Sequence, residues 1–184
     1  MLDQSEANPP SFRGRIAQAQ LRELYDLWLA HSSDTAVMPR SALDPVAMPS
    51  LLKNLILADV GAGGRDISYR LVGTEIVEAH GFDYTGWNIE RLTSGSTLAF
   101  TQRLYGMVVS RAVPVYSEGH FRWRDKEFHW VKRLHLPLSR DADGRVDMVL
   151  AGQYFETEYG EEELLLPARP EQLAADRRGL IASR

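Results

Sequence analysis

The chain has 184 residues, 44% of them hydrophobic and 25% charged, with a formal net charge of −4. That suits one globular domain with length to spare for tails, and the acidic balance gives no general attraction to nucleic acid or to an anionic membrane. Cysteine is absent, which excludes disulfides, thiolate–zinc and iron–sulfur sites, and a cysteine nucleophile. No apolar run approaches the ~20 residues of a membrane span. The N-terminus MLDQSEANPP is acidic and Pro-rich, not basic and then apolar, so it does not read as a secretory signal. Cytoplasmic localisation is the expectation.

Residues 1–14 read as a disordered lead. A helix follows to His31, with Ala17, Leu21, Leu24 and Trp28 at three- and four-residue spacing. The Pro-containing linker that comes next cannot be one regular helix. Asp44 and Pro45 have the form of an N-cap and first position of a short helix reaching Lys53. Strands are predicted over 54–60 and 66–72, joined by a turn at Gly61, Gly63 and Gly64, with Ile67, Tyr69 and Leu71 on one face of the second. A short helix over 74–80 stops at Gly81, 88–92 forms a further turn, and a long helix runs from Ser96 or Thr97 to Arg111.

The last third predicts three antiparallel strands. Segments 120–124 and 127–138 flank the turn Asp125-Lys126, in a register that opposes Phe121 to Trp130 and Trp123 to Phe128. A five-residue turn over 140–144 then opposes Leu138 to Val146, Leu136 to Met148 and Leu134 to Leu150. The result is one continuous apolar face. Residues 158–184, with three consecutive glutamates and two prolines, read as a C-terminal tail.

Lys132 interrupts the apolar face. The predicted registers place it between Gly119 and Gly152, as a pocket cation able to hold a carboxylate or phosphate. A bulge or a shifted register would turn it outward instead. The opposite face collects His120, Arg122, Arg124, His129, Arg133 and His135, a basic surface for an acidic protein partner. No aromatic interleaves these six to stack bases, so nucleic acid is not expected there, and no third ligand joins His120 and His129 for a metal. His80, at a helix end, fits an imidazole on the last carbonyls and dipole better than a haem ligand. Neither a P-loop, a nucleophile elbow nor a spaced carboxylate pair is present.

The chain resembles a bacterial PAS-domain family in which one compact domain makes up most of a short protein. The resemblance covers roughly residues 15–157. It rests on Trp28, Pro39-Arg40, Asp44-Pro45, Leu51-Leu52, the run Tyr69 to Thr74, Gly81, Asp83, Thr85 and Gly86, and Leu136-Pro137-Leu138. It implies an α+β, PAS-like fold: a five-stranded antiparallel sheet with helices over one face, plus an N-terminal helix through which members often pair as homodimers. It also implies a cavity for a metabolite, haem or flavin, or a protein-docking role. The absence of cysteine excludes flavin–cysteinyl photochemistry, and a long helix without His disfavours haem.

The expected function is therefore a non-enzymatic sensor or adaptor in signal transduction. Its expected pocket is lined by Tyr69, Trp87, Tyr105, Trp130 and Lys132, with Leu134 and Tyr154 as apolar wall; plain core packing explains the same aromatics. One alternative is a ligand-free docking module acting through the basic face and the N-terminal helix. Another is a small cone-shaped α+β isomerase or hydrolase using His80 or Lys132, against which the early strand pair counts. Ligand and cofactor identity are left open, and neither a nucleic-acid nor a membrane partner is expected.

Overall fold

In the computed structural model, residues 11–32, 37–121, 123 and 129–182 are described. The strands are β1 Met38–Pro39, β2 Leu55–Val60, β3 Ile67–Val72, β4 Val115–His120, β5 Trp130–Ser139, β6 Met148–Glu156 and β7 Leu164–Pro167. The α-helices are α1 Ala19–His31, α2 Thr74–His80, α3 Ile89–Leu92, α4 Gly95–Arg111 and α5 Pro170–Ala182. The strands form one sheet in the order β3-β2-β6-β5-β4-β7, antiparallel throughout, and β1 adds a two-residue parallel pairing to the end of β5. The five expected strands correspond to β2–β6, with β3 at one edge and β7 added at the other, and the strand predicted over 120–124 lies earlier, at Val115–His120.

Helices cover both faces. Leu21, Leu24, Tyr25, Trp28 and Leu29 form the buried stripe of α1, which packs on Leu134, Leu136, Leu138 and Leu150 of the sheet. Trp28 donates its indole N–H to the Pro137 carbonyl at 2.9 Å, so the largest ring on the helix loses no hydrogen bond on burial. The approach is close at Gly152, where a Cβ would lie 2.6 Å from the Leu21 Cδ2. On the other face, α2 and α4 enclose a second core containing Ile56, Ile67, Ile76, Val108, Val149 and Ala151. Gly81 ends α2 with a φ of 85°, the left-handed conformation that closes a helix at glycine.

Burial on both sides explains where the predicted registers depart from the structure. Every residue of β5 from Leu134 to Ser139 is buried, so strict polar and apolar alternation has little to act on. His120 pairs with Trp130, one residue away from the predicted opposition of Phe121 and Trp130. Phe121 instead donates its backbone N–H to His129 at 2.9 Å. Asp125, Lys126 and Phe128, the predicted hairpin tip, lie outside the described residues. On the next pair, Leu138 opposes Met148 and Leu134 opposes Gly152, a two-residue shift. The connecting loop is longer than predicted, because Asp143 and Asp147 accept local backbone N–H groups from Arg145 and Arg140 and hold an extended turn. Lys132 therefore lies between Glu118 and Tyr154, not between glycines.

Three further expectations are corrected. Residues 11–14 belong to the fold, with Phe12 buried against Tyr25. Leu71 does not share the buried face of Ile67 and Tyr69: the β2–β3 pairing shifts between Leu57 and Ala58, leaving Leu71 43% exposed. The supposed C-terminal tail forms β7, which pairs with β4, and α5, which packs on α1. Tyr25 and Ser11 donate hydroxyls to Asp176 at 2.9 and 2.6 Å, and Arg177 donates to the Ser32 carbonyl at 2.7 Å. These long-range bonds give the acidic, Pro-containing segment a reason to fold that its composition does not advertise.

Candidate functional site

Between the sheet and helices α3 and α4 lies a cavity of about 560 Å³. Its floor is built by register. Arg133 on β5 is directly opposed to Ser117 on β4 and Gln153 on β6, so three polar side chains make one row across three strands. The next row places His135 between Val115 and Ala151. Alternate residues of a strand share a face, so Arg133 and His135 share the cavity side, while Lys132 and Leu134 point to the side covered by α1.

The walls are aromatic. Tyr105 descends from α4 edge-on to His135, with ring centroids 5.1 Å apart. Phe100, one turn earlier, has the Arg133 guanidinium 5.8 Å from its ring centre. Tyr69 and Tyr84 meet edge to face at 4.9 Å. His80 packs against Tyr84, Phe121 and Trp123 at 5.2, 5.3 and 4.8 Å. Glu163, Leu164 and Leu165 close the side formed at β7, where Glu163 accepts the His120 backbone N–H at 3.3 Å.

Burial sets the electrostatics. It pushes the Arg133 pKa down to about 10, with Glu163 and Tyr84 acting in the other direction, so the guanidinium stays charged near neutrality. His135 is lowered to about 3 by burial and by the Arg133 charge, and is therefore neutral. The hydroxyls of Tyr69, Tyr84 and Tyr105 are raised by burial and remain protonated. The His135 Nδ1 and the Ser117 hydroxyl are buried without a hydrogen-bond partner among the described residues. Unpaired buried polar atoms are uncommon in a filled core.

The sequence-predicted residues divide between the two faces. Tyr69 and Tyr105 line the cavity. Trp87 lies outside it, packed on Phe82 at 5.4 Å and covered by the Arg91 guanidinium at 3.7 Å. Leu134 and Tyr154 belong to the core beneath α1. Lys132 reaches Glu156 at 2.6 Å, and the Trp130 indole donates to Glu118 at 3.4 Å. Of the six basic residues expected on an outer docking face, Arg133 and His135 line the cavity floor and His120 its rim. His129 stacks on Tyr159 at 4.8 Å, and Arg122 and Arg124 lie outside the described residues. Of the two packings open to the α1 stripe, on the chain's own sheet or on a second copy, the structure has the first.

His80 holds its expected place at the helix end, its Nδ1 2.8 Å from the Ile76 carbonyl, and Trp123 donates to the His80 carbonyl at 2.9 Å. The sequence marks Phe100 only as a position of the long helix available for burial and Glu163 only as part of a tail, and nothing in it singles out Gln153. The signal that could have revealed the floor was the stripe of α1, which needs an apolar sheet face and leaves the other face of β5 for the cavity. Among the described residues, no group of three or more His, Asp or Glu side chains is placed to hold a metal ion, and no helix is long and apolar enough to cross a membrane.

Comparison with solved structures finds similarity to an RNA-binding light-oxygen-voltage receptor, at 18% identity and a TM-score of 0.42, covering 80% of this chain. The match spans 40% of that receptor chain. No curated protein matches the sequence. A profile of the PAS domain matches residues 16–155, and the chain belongs to the PAS-domain family.

Proposed function

We propose that the chain is a non-enzymatic sensor domain that reports whether a small molecule occupies the cavity between the sheet and α4. The observation that supports this reading is the cavity itself, with its aromatic walls and the polar pair Arg133 and His135 on its floor. Small-molecule sites are characteristically concave and largely apolar, with few well-placed polar groups. A ligand shifts a conformational equilibrium only by binding one state better than another. Here the responsive element is β7, which follows Glu163 at the cavity wall, pairs with β4 at the edge of the described sheet, and continues into α5 against α1. Occupancy thus communicates with the far face of the sheet through one continuous segment. A cytoplasmic, homodimeric setting accompanies this reading.

Native mass spectrometry of the purified protein, followed by denaturation, tests it. The expected result is an extra mass per protomer that disappears on denaturation, and the same spectrum reports the number of subunits. An apo mass that persists after incubation with a metabolite extract overturns the sensor reading.

A further inference from the structure

We propose that the cavity's ligand is a singly charged carboxylic acid with an apolar body, its carboxylate seated on Arg133 and its body against the rings of Tyr69, Phe100 and Tyr105. The inference rests on the sensor reading above and adds the chemistry of the ligand. Arg133 lies at the centre of the polar row, yet among the described residues its guanidinium makes no hydrogen bond or ion pair; it lies 5.8 Å from the centre of the Phe100 ring. Arg133 is partly buried on the cavity floor, where its N–H donors meet whatever acceptor enters the cavity. A carboxylate presents two oxygens in the planar geometry that a guanidinium matches with paired hydrogen bonds.

The surroundings select for one negative charge. His135 is neutral, as are the tyrosine hydroxyls, and the lining sets the cations Arg103 and Arg133 against the carboxylates Glu118 and Glu163. A phosphate group, carrying nearly two negative charges, would find too little positive charge. Gln153 and Ser117 flank Arg133 with neutral hydrogen-bonding groups, suited to a carboxylate already paired with the guanidinium. Ile56 and Leu104 join the aromatic rings in the lining, so the remainder of the ligand meets apolar surface.

The test is calorimetric titration and thermal shift with straight-chain acids from hexanoate to decanoate and with 3-phenylpropionate, each beside its primary amide, and with inorganic phosphate. At least one acid should bind, its amide at least tenfold more weakly, and phosphate should leave the melting temperature unchanged. Arg133→Met should weaken the acid at least tenfold and leave the amide unchanged. Arg133→Lys, which keeps the charge without the planar fork, should show a smaller loss, and it serves if the Met variant does not fold. Glu163→Gln should strengthen acid binding several-fold. Amides that bind as well as acids, acids indifferent to Arg133, or phosphate binding as tightly would overturn the carboxylate inference and leave the sensor reading standing. No binding by acid or amide, together with an apo native spectrum, would defeat both.

Discussion

His135 is an ionisable side chain only 2% exposed, with an unpaired Nδ1, and it ties folding to pH. Its folded-state pKa is lowered to about 3, against 6.5 for the unperturbed ring. As pH falls, the unfolded chain therefore takes up the proton first. The stability linked to neutral His135 is complete above pH 6.5 and is lost progressively toward pH 3. By pH 5 this loss amounts to about 2 kcal/mol. Urea melts of the parent and of His135→Phe at pH 7 and pH 5 measure it directly: the parent should lose about that much more than the variant. Equal losses would show that His135 is not held neutral by the fold. Lys132 teaches the complementary lesson. Its ion pair with Glu156 lies on the opposite face from the cavity and is only partly exposed, 17% at Lys132 and 36% at Glu156.

The pairing of α1 with the sheet is the element-scale feature that decides which side of β5 holds the cavity. The contact is tightest at Gly152, against Leu21 and Leu24. Gly152→Ala would force both leucine side chains to give way, at a cost of about 1–3 kcal/mol from overpacking. A urea melt reads this as a lower midpoint with an unchanged slope. A variant as stable as the parent would mean that α1 rides further from the sheet than its contacts indicate. The same packing accounts for the hairpin register. The predicted aromatic opposition of Phe121 and Trp130 is worth at most about 1 kcal/mol, less than fully burying one large apolar side chain such as those beneath α1.

For the whole molecule, the consequential feature is that the C-terminal segment completes the domain. Asp176 on α5 accepts hydrogen bonds from the Tyr25 and Ser11 hydroxyls and from the Arg13 backbone. Asp176→Ala leaves the buried Tyr25 hydroxyl unpaired and should cost about 1–3 kcal/mol. The loss should shrink in a Tyr25→Phe background, a coupling that a double-mutant cycle measures; equal losses would place the anchor of α5 elsewhere. The sequence by itself determined the α+β class, the order of the central elements, the α1 stripe and the stop of α2 at Gly81, because periodicity, capping and turn chemistry are local. Only the tertiary structure decided that Arg133 and His135, not Lys132, face the cavity, and that residues 164–182 fold back as β7 and α5. A strand buried on both faces carries no alternation to mark its inner side, and a segment held by distant hydrogen bonds shows no sign of them in its own composition.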